Sequence, residues 1–303
     1  MNALVIGFGS IGSRHARLLS ELGCSTAVVS ARSIVFPSVH ADLAEALRQH
    51  RPEYVVIANA TDKHGETLLA LAQLGFAGTV LVEKPLFSRS QPIPALPFRA
   101  TFVAYNMRFH PIIQRLKSLL QGQTVLSVLA YVGQYLPDWR PAVDYRTSYS
   151  ASAQQGGGVL RDLSHELDYL TWMLGGWDRV SALGGQLSSL EITSEDVFAL
   201  LLVTPACPVV TLQMNYLDRL SRRFVIVNTT QHTIEADLVR GTLMVDRHGE
   251  SFPIDRDGTY KEMHVAALSG QPNELCGAAE GLATLRLIEA AERAATQAMW
   301  IAR

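Results

Sequence analysis

The stretch "GGGVLRDLSHELDYLTWMLGG", Gly156 to Gly176, opens on three glycines and then sets Asp162, His165, Glu166 and Asp168 within seven residues of a segment that reads as one helix. At about 100° per residue, Leu163, Leu167, Leu170 and Leu174 share one apolar stripe that must be core. Asp162, His165, Tyr169 and Trp172 share a second stripe, roughly opposite. That face is either a solvated surface or the wall of a cleft. Two aromatic side chains are costly to leave in water, which favours the cleft and makes Tyr169 a candidate substrate contact. His165 is the group best suited to exchange a proton near neutral pH, and Asp162, one turn earlier, could orient its ring.

A second constellation lies at the start of the chain, where Gly7, Gly9 and Gly12 form G-x-G-x-x-G between an apolar strand and a helix. The first glycine permits a tight turn, the second lets a pyrophosphate approach the backbone, and the third lets helix and strand pack closely. The phosphate would then meet the free N–H groups of Ser10 and Ile11 at the helix start. A glycine-rich turn without a ligand is the competing reading, and the βαβ pattern that follows weakens it. The same fingerprint predicts a carboxylate about 20 residues on, to hold the ribose 2′-hydroxyl of NAD. No Asp or Glu occurs between Glu21 and Asp42. The second strand runs instead into Ser30, Ala31, Arg32 and Ser33, a cation with hydroxyl donors where a 2′-phosphate would sit. The expected cofactor is therefore NADP in preference to NAD, with Arg32 as a solvated surface charge the alternative. Gly156 to Gly158 would let the mid-chain helix start close to the nicotinamide.

Glu83-Lys84-Pro85 ends an apolar strand, where open α/β sheets put their ligands. Proline fixes the chain after the lysine, and a lysine beside a cofactor can shuttle protons. On residue types alone, an ordinary exposed lysine at a strand end is the stronger reading. Between Gln134 and Gln155 runs an irregular stretch rich in Tyr, Trp, Arg and Asp. Trp139 and Tyr145 would offer sugar rings an apolar face, and Arg140 or Arg146 could hold a carboxylate or phosphate. A loop serving a subunit interface is the alternative.

These groups need elements to position them. The first hundred residues alternate β-rich runs at Ala3–Ile6, Thr26–Ser30, Tyr54–Ala58, Thr79–Glu83 and Thr101–Ala104 with helical segments near Ile11–Leu22, Asp42–His50 and Lys63–Leu74. That rhythm predicts a parallel sheet with helices on both faces. Three prolines in "SRSQPIPALPF", Ser88 to Phe98, predict an extended crossover. After Phe109 come a helix over Pro111–Leu120, a strand, the irregular stretch and the mid-chain helix. From Asp178 to Pro253, β-rich runs separated by "LGG", "TPACP", "LVRGT" and "RHGE" predict an antiparallel sheet, and an alanine-rich helix over Asn273–Ala298 follows.

Composition narrows the function classes. A chain of 303 residues, 48% of them apolar, can bury cores for two domains. A net charge of −2 supplies no basic field for nucleic acid. Cys24, Cys207 and Cys276 are scattered, which argues against a disulfide framework and against zinc, so no metal is expected and the cytoplasm is the natural compartment. No apolar run reaches the roughly 18 residues of a membrane helix, and "MNALVIGFGSIG" reads as strand and turn rather than signal peptide.

Several stretches together resemble the Gfo/Idh/MocA oxidoreductases, of the glucose-fructose oxidoreductase and inositol dehydrogenase type. They are "GFGSIGSRHARLL", "VVIANATDKH", "VEKPL", "YNMRFHP" and "GGGVLRDLSHELDYLTWMLG", in the family's order. The resemblance implies an α/β fold: a Rossmann domain over residues 1–108, then an α+β domain over 109–272 with an open, mostly antiparallel sheet for substrate and subunit contacts. The helix from about 273 to 298 is expected to pack back near the first domain. It implies a nicotinamide cofactor and a sugar, cyclitol or related polyol substrate, and it places Lys84 beside the reacting carbon with His165 as the catalytic histidine. Asn59, Thr61 and His64 match the segment passing the nicotinamide ribose, Asn106 and Arg108 the segment after the last Rossmann strand, and Glu83 the residue before the lysine. Asn106 would bond the ribose or carboxamide, while Arg108 could equally be a structural ion-pair partner. Many members resemble D-x-x-x-H where this chain has Asp162-Leu-Ser-His165, so the histidine carries over more safely than the aspartate.

The expected function is an NAD(P)-dependent dehydrogenase or reductase acting on a hydroxyl or carbonyl of a sugar, sugar nucleotide or polyol, working as a homo-oligomer through the second sheet. A catalytically silent dinucleotide-binding regulator is the rival from another class. Reduction of a non-sugar substrate such as an imine or tetrapyrrole is the rival enzyme.

Overall fold

The computed structural model describes residues 1–271 and 274–303, which form two compact units. The first comprises residues 1–109 and 255–282, the second 110–254 and 283–303.

The first unit begins β1 (Asn2–Ile6), α1 (Ser10–Glu21), β2 (Ser25–Val29), β3 (Val39–His40), α2 (Leu43–His50), β4 (Tyr54–Ile57), α3 (His64–Gln73), β5 (Thr79–Val82) and β6 (Ala100–Val103). These six strands run parallel in the order β6-β5-β4-β1-β2-β3. The central strands read as unbroken apolar runs because both faces are covered, and Ala3, Leu4 and Val5 of β1 are fully buried beside Val55 and Val56 of β4. α2 starts where the Asp42 side chain accepts the Glu45 N–H at 2.8 Å, and it ends at Arg51, whose φ of 49° is left-handed. β2, β4, β5 and β6 each stop one residue short of the sequence expectation, releasing Ser30, Ala58, Glu83 and Ala104 into the loops at their carboxyl ends. The proline-rich crossover, 88 to 98, has no helix or strand.

The second unit contains α4 (Pro111–Leu120), β7 (Val125–Gly133), α5 (Val159–Asp162), α6 (His165–Met173), β8 (Arg179–Gly185), β9 (Val197–Val203), β10 (Val210–Asn215), β11 (Arg222–Thr229), β12 (Thr233–Asp237), β13 (Thr242–Val245) and β14 (His248–Ser251). Its sheet has the order β14-β13-β12-β11-β7-β10-β9-β8-β16, where β16 is Ile301–Ala302, and only the β7–β10 pair is parallel. One face is core: Val128, Ala130, Leu200, Leu212, Val225 and Ala236 alternate inward and are buried. The other face presents Leu129, Leu201 and Met244 to solvent, joined by the register Leu201–Thr211–Leu129–Ile226–Glu235–Met244 into one row across five ladders.

Residues 255–271 and 274–282, with α7 (Gly258–Ser269), β15 (Cys276–Gly277) and the start of α8 (Ala278–Gln297), belong to the first unit. β15 adds antiparallel to β6 as its seventh strand. The sequence expectation had put residues up to 272 in the second domain and the final helix back near the first. Instead α7 supplies Met263 and Ala267 to the first core, and α8 from Ala283 clusters with the second unit. Amphipathic periodicity reveals that a helix has a buried face but not which core receives it. Asn273, the expected start of the final helix, and Pro272, the expected domain limit, lie outside the described residues. No described helix is long and apolar enough to cross a membrane.

Candidate active site

The loop after β1 has the geometry of a phosphate cradle. Gly7 has a φ of +96°, and a Cβ there would stand 2.7 Å from the Ala58 carbonyl and the Asn59 nitrogen. A Cβ on Gly12 would run into the Gly7 carbonyl, whereas one on Gly9 would meet nothing within 4 Å. Two glycines thus serve close packing, while the middle one leaves open space at the exposed start of α1, beside Ser10 and Ile11. After β2, Ser30 and Arg32 form a tight turn, the Ser30 hydroxyl accepting the Arg32 N–H at 3.1 Å. Arg32 is exposed, with no side-chain partner among the described residues.

Asn59 and Thr61 follow β4, Glu83 and Lys84 follow β5, and Asn106 follows β6, so they gather at the carboxyl ends of neighbouring strands. The Asn59 amide donates to Thr67 Oγ1 at 2.8 Å and the Asn106 amide to Thr259 Oγ1 at 2.6 Å. Their buried Oδ1 atoms meet no hydrogen-bond donor among the described residues, and two acceptors left open at one sheet end suit the hydroxyl and amide donors of a dinucleotide. The glycine cradle and these two oxygens therefore fit a nicotinamide dinucleotide.

Two expected cofactor residues are buried and held by contacts within the protein. The His64 ring is fully buried, with Nδ1 3.2 Å from the Pro85 and Leu86 carbonyls and Nε2 3.3 Å from the Asn59 carbonyl. It ties the β4 and β5 loops together, and its burial holds it below the usual imidazole range. Glu83 is also buried, accepting His15 Nε2 at 2.7 Å and the Lys84 backbone N–H at 3.1 Å. Lys84 is half-buried. Arg108 is buried and forks onto the Glu280 carboxylate, both contacts 3.2 Å, so it is an ion-pair partner.

In the second unit the single mid-chain helix is two. α5 ends at Asp162, Leu163 (φ −99°, ψ 23°) leaves the helix, and α6 begins at His165 after Ser164. The apolar stripe survives, since Leu163, Leu167, Leu170 and Leu174 are all buried. The polar stripe does not, because the break shifts the phase. Asp162 accepts the Tyr216 hydroxyl at 2.7 Å, and the Trp139 ring stands edge-on to Tyr216 at 5.2 Å. Tyr169 is fully buried, with its hydroxyl 3.4 Å from Glu166, which pairs with Arg223 at 2.8 Å. Trp172 lies under the Lys117 amine, 3.6 Å from the ring centre. Tyr169 is thus a core residue and not a cleft wall, while His165 stays half-buried at the first turn of α6. Gly158, with a φ of +123°, is required by the Glu195 carboxylate, which occupies the space of a Cβ and accepts the Leu160 N–H at 3.3 Å. Burial pushes the Glu195 carboxyl up to about 7. Gly158 is thereby explained within its own unit.

The loop from Gln134 to Gln155 is a chain of one-turn helices. Arg146 is committed to Asp144 (2.8 Å) and Glu191 (3.0 Å), which leaves Arg140, exposed, as the expected anion contact still open. Tyr145 accepts the Glu191 N–H at 3.3 Å. Trp139 has a buried Nε1 without a hydrogen-bond partner among the described residues. Sequence reasoning missed Tyr216, Glu195 and three residues treated below, His15, Tyr54 and His264.

A parallel sheet with a glycine cradle after its first strand defines an oxidoreductase-type, dinucleotide-binding α/β protein. The chain belongs to the Gfo/Idh/MocA family: residues 1–96 match the sequence model "Oxidoreductase family, NAD-binding Rossmann fold", and residues 113–235 match the GFO/IDH/MocA C-terminal domain. It is similar to levoglucosan dehydrogenase of Pseudarthrobacter phenanthrenivorans, with 23% identity over 212 residues covering 60% of this chain and 53% of that protein. The chain thus spans about half the length of this curated relative. Among solved structures it is similar to GenD2 from gentamicin A biosynthesis, in complex with NAD, with TM-score 0.81, 23% identity and coverage of 100% and 96% of the two chains. It is also similar to the WlbA dehydrogenase from Bordetella pertussis, in complex with NADH and UDP-GlcNAcA, with TM-score 0.78, 20% identity and coverage of 100% and 98%.

Proposed function

We propose that the protein is an NAD(P)-dependent dehydrogenase or reductase acting on a hydroxyl or carbonyl group of a sugar, sugar nucleotide or polyol. The observation that carries this reading is the glycine cradle sharing one sheet end with the open Asn59 and Asn106 oxygens and with Lys84. The relatives' names, dehydrogenases seen with NAD or NADH and in one case with a sugar nucleotide, support it. When bound, the nicotinamide supplies the hydride acceptor or donor. Lys84, after β5, would exchange a proton with the reacting oxygen, and His165, at the first turn of α6, is the second unit's candidate for proton exchange. Asp162, through its bond with Tyr216, sets the end of α5 just before His165 and so acts by position. Trp139 and Tyr145 offer faces to a sugar ring and Arg140 an anion contact.

Cofactor choice follows from the β2 end. With Ser30 and the exposed Arg32 there, and no carboxylate between Glu21 and Asp42, we propose NADP in preference to NAD. Quenching of NADPH and NADH fluorescence, then a panel of sugars and sugar nucleotides, tests both statements. The expected outcome is turnover with a kcat/KM at least about 10-fold higher for NADP, reduced by Arg32→Ala, since each contact to the 2′-phosphate is charge-assisted. Equal or better efficiency with NAD overturns the preference, and bound cofactor without turnover on the whole panel points to a sensor. The solvent-facing row of Leu129, Leu201 and Met244 supports assembly of the chain into a homo-oligomer through its second sheet, which mass measurement in solution checks.

A further inference from the structure

Four side chains from four separate segments of the first unit meet in a line. The Tyr54 hydroxyl, at the start of β4, is 3.0 Å from His264 Nδ1 on α7. His264 Nε2 is 2.8 Å from His15 Nδ1 on α1, and His15 Nε2 is 2.7 Å from the Glu83 carboxylate after β5. Both histidines are fully buried and the ends of the line nearly so, within the cluster that includes Leu81, Ala104 and Met263. The Tyr260 ring stands edge-on to His15 at 5.6 Å, and the Arg14 guanidinium lies over that ring, 5.2 Å from its centre.

Donor and acceptor rules leave one complete assignment for this line. An ionised Glu83 only accepts, so His15 carries its proton on Nε2. A neutral His15 then offers a bare Nδ1, which takes the Nε2 proton of His264. A neutral His264 offers a bare Nδ1 in turn, which takes the Tyr54 O–H. Every polar atom is used, and the single charge sits on Glu83, whose other oxygen holds the Lys84 backbone N–H at 3.1 Å. If the line ran the other way, from a protonated Glu83 or a His15 cation, His264 would donate to the tyrosine oxygen. The buried phenol proton would then have no acceptor among the described residues. Burial acts in the same direction, holding His264 well below the usual imidazole range and Tyr54 well above that of a phenol.

We propose that Tyr54, His264 and His15 form a one-directional hydrogen-bond relay that fixes the Glu83 carboxylate and, through the peptide N–H of Lys84, the position of that lysine's amine. His264 and Tyr54 are positioning residues of the oxidoreductase. The lysine's catalytic role rests on the function proposed above, but the relay itself does not. Three of its members sit on separate secondary-structure elements with no packing need for polarity, and an apolar core would tolerate leucine or phenylalanine there.

Long-range ¹H–¹⁵N spectra of the full chain labelled in histidine read the tautomers directly. The expected result is that His15 and His264 are both neutral with the proton on Nε2 at pH 7. An imidazolium or an Nδ1–H form at either position overturns the relay. Tyr54→Phe, which removes the donor to His264 Nδ1, should leave the proton on Nε2, held there from the Glu83 end, and shift the His264 Nδ1 resonance as that nitrogen loses its hydrogen bond; an unchanged resonance would also overturn the relay. For the positioning role, His264→Gln keeps one donor and one acceptor in line, whereas His264→Leu keeps neither. The Gln variant should stay within about threefold of the parent kcat and the Leu variant should lose about 10-fold or more, with the KM for cofactor within about twofold in both. A folded Leu variant with parental kcat removes the positioning role. If the Leu variant does not fold, the parent's tautomers decide. If no sugar is turned over, the functional reading fails while the tautomers still decide the relay.

Discussion

Glu195 shows how much a single buried carboxyl can govern. Its folded value of about 7 lies above its ordinary 4.5, with burial the leading cause, ahead of the attraction of Arg161. The folded state therefore binds the proton more tightly than the unfolded chain, and stability falls as pH rises from about 4.5 towards 7. His110 slopes the other way. Burial lowers it from 6.5 to about 4 while its Nδ1 accepts the Ile112 N–H at the start of α4, so its contribution is complete above 6.5 and is lost as pH falls towards 4. Glu195→Gln removes only the first slope. Urea unfolding should find the variant more stable than the parent at pH 8, by up to about 3 kcal/mol, and no more stable at pH 4. Residue-scale sequence reasoning named Lys84 and His165 from their motifs, but Glu195 and Tyr216 carry no local signal. Their chemistry comes from Gly158 and Asp162, which lie far from them along the chain.

At the scale of elements, the Rossmann half was legible because its signals are local. Glycine spacing and β-rich runs each fix a turn or an end within a few residues, and β1, β4 and β5 lie within one residue of where the pattern put them. The mid-chain helix was legible only in its leucine stripe. Projecting the polar stripe at 100° per residue assumed an unbroken helix, and the non-helical Leu163 between α5 and α6 invalidates that phase without any proline or glycine to announce it. The cradle glycines yield a paired prediction. Gly9→Ala adds a Cβ to open space, so its thermal midpoint should match the parent while dinucleotide affinity drops about 10-fold or more as the methyl meets the pyrophosphate. Gly12→Ala drives a methyl into the Gly7 carbonyl and should lower the midpoint as well, the overpacking costing about 1–3 kcal/mol. Calorimetry with and without cofactor separates the two. An equal loss of stability in both variants would reject the division of labour between these glycines.

For the whole molecule, the informative feature is that neither unit is a continuous stretch of chain. The first takes Met263, Ala267 and Leu275 from residues beyond 254 into its core, and the relay to Glu83 is completed by His264. Sequence patterning named no element between Pro253 and Asn273, where α7 lies, and helix periodicity is silent about which of two cores receives a face. A ribosome delivers this protein from its N-terminus, so the dinucleotide-binding unit must wait, with one side of its core bare, until residues 255–282 have emerged. Nascent chains arrested after Ile254 should be cut by protease within residues 1–109 and should bind chaperones. Chains arrested on a linker of some 30 residues or more fused after Leu282, long enough to clear the exit tunnel, should be resistant, which makes the emergence of residues 255–282 the step that releases the first unit.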